Sequence, residues 1–388
     1  MALFVLSTLV LVLAYAASFT LRPAPLWSWV WKVALAVGEY GVWFLPLAVG
    51  LGGIALVSTD GAWRVGLVTL CAFATIALLR PLASAWRNGA RLETDLAAAF
   101  GAGARPPMRP FSLARLVFHG GAAVAPVETH VFSRGGGEEL KLDFYRARGT
   151  TPAGAPCLVV VHGGGWDGGE RTQIPAWNHR WASRGYAVAA ITYRLAPRFV
   201  WPAQRDDVLA ALAWLKAHAR ELGLDAGRFV LLGRSAGGQI ATAVAYGARD
   251  PAIRGVISFY APQDMEFAWG VSREDDALNS IKLMRQYLGG PPDTPERRQL
   301  YASASAQAMI GPATPPTLLL HGAPDTLVWH RHSERLAAAL AAVGARHFFL
   351  SLPWATHAFD FNPDGPGGQL ADYAIETFLR ATTGAPIP

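Results

Sequence analysis

Three long apolar runs open the chain, and shorter ones follow. Residues 1–21 carry no charge before Arg22. A second run, 33–57, is interrupted mainly by Glu39 and Pro46; a third, 63–82, has Arg64 at its start and Arg80 near its end. Each is about 20 residues, the length a helix needs to cross a hydrocarbon core. Trp27, Trp29, Trp31 and Trp63 fall near the run ends, where interfacial aromatic residues sit. The pattern predicts a transmembrane region of about three helices over 1–83. A cleaved leader is the competing reading of the first run, but no basic residues precede its apolar stretch. Buried core helices are the competing reading of the other two.

Lys and Arg set the orientation. Arg22 and Lys32 lie between the first two runs, and Arg80, Arg87 and Arg91 lie at or after the end of the third. Three spans put both groups on one side, which the positive-inside rule makes cytoplasmic. The expected protein is therefore multi-pass, with the rest of the chain facing the cytoplasm. Residues 84–100 predict a short amphipathic helix, with Trp86, Leu92, Leu96 and Phe100 sharing one face. The Gly/Pro-rich stretch 101–110 reads as a linker, so 84–125 is expected to connect two regions.

From residue 126 to 388 the period changes. Residues 127–132 and 140–145 predict an antiparallel opening pair of strands. Further strands are expected at 157–161, 187–192, 229–232, 256–260, 317–320 and 347–350. Helices are expected at 206–218, with Leu209, Leu212, Ala213 and Leu215 inward, and at 239–246, 333–343 and 368–379. Strands alternating with helices give a mainly parallel sheet covered on both faces. Such sheets bind ligands at the carboxyl ends of their strands.

Composition fits this division. The 388 residues are 52% hydrophobic and 16% charged, with mean hydropathy +0.23. Soluble domains are nearer a quarter charged. The net charge of +6 comes from scattered Arg residues with no zinc-knuckle, RNP or basic-helix signature, so a nucleic-acid partner is not expected. Two cysteines, Cys71 and Cys157, exclude a disulfide framework.

The chemistry-bearing motifs all follow predicted strands. Gly233-Arg234-Ser235-Ala236-Gly237 lies between a strand and a helix, the context in which G-x-S-x-G presents a nucleophilic serine on a strained turn. Its glycines permit that turn, and the helix N-terminus favours negative charge there. His162-Gly163-Gly164-Gly165-Trp166 follows another strand, and consecutive glycines let backbone N–H groups approach a developing oxyanion. The expected donors are Gly164, Gly165 and Ala236. No G-K-[ST] or G-x-G-x-x-G accompanies the loop, which argues against a nucleotide-phosphate site.

A serine nucleophile needs a base and an orienting acid, and in this fold their order is Ser, acid, His. His357 lies between the last predicted strand and helix, where the base belongs; His321, His330 and His332 compete, the last two at a helix start where an exposed histidine is the ordinary outcome. Asp325, in His321-Gly322-Ala323-Pro324-Asp325, is the expected acid, with Asp264 as the alternative. Asp360 reads as a cap or solvated residue of the final helix, and Ser333 as a helix residue away from the strand ends. The His330-x-His332 pair has no further ligand cluster beside it, so no metal is expected, and no cofactor is implied.

On these motifs, residues 126–382 resemble the esterase and lipase superfamily related to hormone-sensitive lipase and to the BD-FAE-like carboxylesterases. HGGGW at 162–166 looks like its oxyanion motif, and Tyr193-Arg194-Leu195-Ala196-Pro197, Trp201-Pro202-Ala203 and Asp207 like its Y-R-L-A-P segment. GRSAGG looks like its nucleophile elbow, and Asp325 with His357 like its acid and base. Arg234, in place of an acidic or small residue, and Trp329, near a position often held by Pro, depart from the pattern. The resemblance implies an α/β-hydrolase fold and acyl transfer through an acyl-enzyme.

Residues 262–312 form a long insertion rich in apolar side chains, including Met265, Phe267, Trp269, Leu283, Met284, Tyr287 and Leu288. It reads as a lid or as a cap completing the core. An apolar lid and a membrane anchor together imply lipophilic, small-molecule or lipid esters as substrates; membrane-anchored isoprenylcysteine methylesterases have a similar layout. Kynurenine formamidases carry a similar loop and triad, so an amidase is the main competing enzyme. A membrane acyltransferase would use the same acyl-enzyme, and a non-enzymatic scaffold would ordinarily have lost the nucleophile.

Overall fold

The computed structural model describes residues 1–25, 29–118, 126–149 and 154–384. Trp27 and the linker positions 119–125 lie outside them.

The N-terminal region forms α1 (Ala2–Ser18), α2 (Val30–Glu39), α3 (Gly41–Ser58) and α4 (Gly61–Phe100). The second apolar run is thus two helices rather than one, parted at Tyr40. The third run and the segment after it are one 40-residue helix with Pro81 inside. α3 and α4 are long and apolar enough to cross a membrane; α1, at 17 residues, is shorter. Thr20 Oγ1 donates to Ala77 O at 2.8 Å, and Arg80 donates to Thr20 O. Gly41 packs beside Leu78. The end of α1, the start of α3 and the middle of α4 therefore lie at one level. Beyond that level α4 docks through Ala85, Leu92, Leu96 and Phe100 onto the core that contains the last helix. Trp86, expected on the same face, is 61% exposed; Ala85 and Gly89 line the docking face in its place.

After a short helix α5 (Leu113–Val117), an eight-stranded sheet runs in the order β1-β2-β4-β3-β5-β6-β7-β8. The strands are β1 (Val127–Gly135), β2 (Glu138–Tyr145), β3 (Ala155–Val161), β4 (Ala187–Ile191), β5 (Leu224–Arg234), β6 (Ile253–Phe259), β7 (Thr317–Gly322) and β8 (His347–Leu352). β1, β2 and β4 pair antiparallel, and all other neighbours pair parallel. Every residue of β3 is buried, as expected for a central strand covered on both faces. Its side chains alternate: Cys157, Val159 and Val161 enter one core, Leu158 and Val160 the other.

The covering helices are α6 (Pro175–Ser183), α7 (Ala203–Ala217), α8 (Ala219–Leu222), α9 (Ala236–Gly247), α13 (Arg331–Ala342) and α14 (Pro366–Thr383). On α7 the inward residues are Val208, Ala211, Leu212 and Leu215, while Ala213 faces solvent. The insertion carries α10 (Met265–Val271), α11 (Ser280–Leu288) and α12 (Pro295–Ser303). Met265, Met284, Tyr287, Leu288 and Tyr301 are buried in the main core, so much of the insertion completes that core.

Glu39 joins the N-terminal helices to the rest of the fold. Its carboxylate accepts from Trp354 Nε1 at 3.2 Å and from the Gly367 N–H at 2.8 Å, in the first turn of α14. Asn362 Nδ2 donates to its carbonyl at 2.9 Å.

Candidate active site

β5 ends at Arg234, and the chain turns into α9 at Ser235 with φ 52° and ψ −121°. A non-glycine residue at positive φ is strained and is found where surrounding structure holds it. The Ser235 N–H donates to Phe259 O at 2.9 Å. The turn is tight: a Cβ on Gly233 would strike Gly237 O, and one on Gly237 would strike the carbonyls of Val161 and His162. These contacts dictate the glycines of the pentapeptide. Ser235 Oγ makes no hydrogen bond among the described residues.

The 162–166 loop lies against this turn. Gly164 and Gly165 have φ of 128° and 64°. Gly163 N–H is taken by Gln173 Oε1 at 2.9 Å. The N–H groups of Gly164, Gly165 and Ala236 donate to nothing among the described residues, which leaves them available to an incoming oxygen. His162 stacks on Tyr193, with ring centroids 4.2 Å apart, and burial lowers its imidazole to about 4. It is a neutral support of the loop. Tyr193 O–H donates to His162 O at 3.2 Å, and Arg194 is fixed by Asp207 through its N–H at 2.8 Å and its Nε at 2.9 Å. Trp166 Nε1 and Tyr287 O–H both donate to Gln239 Oε1 at 2.9 Å. Gln239 belongs to no motif, and nothing in its sequence neighbourhood marks this role.

Asp325 and His357 meet across 32 residues: His357 Nδ1 lies 2.7 Å from Asp325 Oδ2. Asp325 Oδ1 accepts from the N–H groups of Leu327 and Val328 at 2.9 and 3.0 Å. Burial pushes the Asp325 carboxyl up, but His357 and His321 outweigh it and hold it well below the ordinary carboxylate range. Both ring nitrogens of His321 are engaged. Its Nε2 is 3.4 Å from Asp325 Oδ2 and its Nδ1 2.7 Å from Ser333 Oγ. Asp264 caps α10 at the Phe267 N–H and pairs with Arg335 at 2.9 Å. His330 and His332 stand at the start of α13 as expected but are buried, not exposed. Burial takes the His332 imidazole down to about 3.

Asp360 is a further correction. It is fully buried and accepts from Arg234 Nε and from Tyr260 O–H, each at 2.5 Å. Ion pairing across 126 residues leaves no local signal in the sequence.

A cavity of about 340 Å³ gathers Ser235, Ala236, Gly165 and Asp325. Leu283, Met284, Val328 and Trp329 form apolar walls, and Pro23, from the segment between α1 and α2, reaches its edge.

Residues 142–340 match the BD-FAE family. The probable carboxylic ester hydrolase LipM of Mycobacterium tuberculosis is 30% identical over 92% of this chain and 86% of its own length. The chain belongs to the BD-FAE family. It is an α/β-hydrolase esterase. Esterase LipQ of the same organism is 31% identical over 64% of this chain and 61% of its own. A bacterial heroin esterase superposes with a TM-score of 0.58 at 23% identity, covering 76% of this chain and 93% of that one. Esterase 2 of Thermogutta terrifontis gives 0.53 at 22%, covering 64% and 89%. These two likenesses are of fold.

Proposed function

We propose that this esterase is a membrane-attached serine hydrolase that cleaves lipophilic carboxylic esters with Ser235, His357 and Asp325. The observation that carries the reading is one cavity that gathers the strained serine, the loop glycine, the helix N-terminus and the acid, with Pro23, just after α1, also in its lining. Ser235 Oγ attacks the ester carbonyl carbon as its proton passes to His357 Nε2. The N–H groups of Gly164, Gly165 and Ala236 hold the oxyanion. Asp325 holds the His357 Nδ1 proton and stabilises the imidazolium. Collapse expels the alcohol with the proton from His357. Water then attacks the acyl-Ser235, giving a proton to His357; collapse breaks the bond between the acyl carbon and Oγ, returns that proton to Ser235 Oγ and releases the acid.

Attachment is supported by the outward faces of the N-terminal helices. Phe4, Val57, Val65 and Ile76 are each at least 68% exposed, and α3 has only 22% of its apolar window buried. Exposed apolar surface on this scale is costly in water. Arg22 and Lys32 lie between the first two apolar runs, and Arg80, Arg87 and Arg91 lie at or after the end of the third; this distribution supports a cytoplasmic catalytic region. The division into 1–83, 84–125 and 126–388, with 262–312 as a lid, is kept as part of this proposal.

The test is fractionation followed by turnover. Full-length protein is expected in the membrane pellet, resistant to high salt and released by detergent. In detergent it is expected to hydrolyse medium- and long-chain acyl esters about tenfold or more faster in kcat/KM than acetyl esters. Protein in the soluble fraction would refute attachment, and faster turnover of aryl formamides would establish the amidase instead.

A further inference from the structure

We propose that Asp360 is a positioning residue for the hydrolysis, setting the nucleophile turn and the base with one carboxylate; this rests on the triad proposed above. Asp360 stands three positions after His357, on the short 3-10 helix Phe359–Phe361. Its backbone is tied down where Trp177 Nε1 donates to its carbonyl at 2.7 Å. Its carboxylate reaches in two directions. Oδ2 accepts from Arg234 Nε, and Arg234 is the residue before Ser235. Oδ1 accepts from Tyr260 O–H, and the Tyr260 ring lies with its centroid 4.3 Å from that of His357. Tyr260 follows Phe259, whose carbonyl accepts the Ser235 N–H at 2.9 Å. The Arg234 guanidinium also lies over the Phe259 ring, 5.3 Å from its centroid.

The serine turn, the end of β6 and the loop carrying the base thus share one buried anchor. Arg234 and Asp360 are 2% and 0% exposed at their side chains. Nη1 and Nη2 of Arg234 have no hydrogen-bond partner among the described residues. A buried ion pair with unsatisfied nitrogens adds little net stability over apolar side chains of the same shape. What it supplies is direction, and the elements it directs are those bearing Ser235 and His357.

Steady-state ester hydrolysis by full-length wild type, Asp360→Asn, Tyr260→Phe and the double variant Arg234→Met/Asp360→Asn tests this, with Tm read in parallel. Asp360→Asn is expected to lower kcat roughly 10- to 100-fold with KM within about twofold, the size of effect that small misplacement of reacting groups produces. Tyr260→Phe removes one oxygen and is expected to lower kcat several-fold, with Tm lowered by a few degrees because Asp360 Oδ1 loses its donor. The double variant removes the stranded charge, so Tm is expected to recover while kcat stays low. Wild-type kcat in either folded single variant would overturn the proposal. So would a double variant that regains kcat along with Tm, because the loss would then have come from the unpaired charge alone. Where Asp360→Asn does not fold, Tyr260→Phe and the double variant decide. Ser235→Ala in the same assay separates the two levels. Activity surviving there refutes the triad; activity lost there but intact in Asp360→Asn refutes only the positioning role.

Discussion

Ser235→Ala is expected to lower kcat for ester hydrolysis by about 10⁵-fold or more, leaving only the contribution of the oxyanion donors and of binding. The size follows from the role proposed for the serine, whose Oγ enters the covalent intermediate. The fold is expected to survive. Ser235 Oγ has no hydrogen bond among the described residues, and the strained φ of 52° is held by the flanking glycines and the Phe259 carbonyl. Tm within a few degrees of wild type, with turnover at background, is the predicted pair of results. The comparison needs a neutral serine. Ser333, remote on the sequence pattern, is buried and bonded to His321, which reaches Asp325, so it is unsuitable. Ser133, half-buried on β1, is the better choice, and Ser133→Ala is expected to match wild type.

Asp325→Asn is expected to lower kcat by about 10⁴-fold while KM changes little. Asp325 Oδ1 accepts two backbone N–H groups, from Leu327 and Val328. An asparagine will keep its carbonyl oxygen there and turn its amide toward His357. Nδ1 must then accept rather than donate, which puts the ring proton on Nε2, the nitrogen that has to take the proton from Ser235. The variant keeps the shape of the site and loses its base. Stopped-time assays across pH 5–9 check this: the loss should persist through neutral pH and ease only where hydroxide competes. A loss below about tenfold would mean that another group orients His357.

Much of this site is local and therefore readable from the chain. Each predicted strand overlaps an observed one; the central ones are legible because buried parallel strands such as Cys157-Leu158-Val159-Val160-Val161 are continuous apolar runs ended by turn residues. The 162–166 and 233–237 loops are legible because their glycines answer steric demands within a few residues. Asp325 and His357 are legible because chain order and strand ends restrict the choice.

What escapes is contact between distant segments. Nothing near Glu39 signals that it enters the first turn of α14, and its charge reads instead as a blemish in an apolar run. Asp360 resembles a helix cap until Arg234 and Tyr260 are seen around it. Helical period alone put Ala213 inward and Trp86 on the face of Leu92, Leu96 and Phe100; the packing partner decides which side of a helix is buried, and on α7 and α4 it selected neighbouring positions.

The most direct test of the central claim is covalent. Membranes containing wild type, Ser235→Ala or Ser133→Ala are treated with a fluorophosphonate, and the adduct is located by peptide mapping. The account predicts a single phosphonylated residue, Ser235, in wild type and Ser133→Ala, and no adduct in Ser235→Ala. An adduct on another residue, or equal labelling of Ser235→Ala, would contradict it.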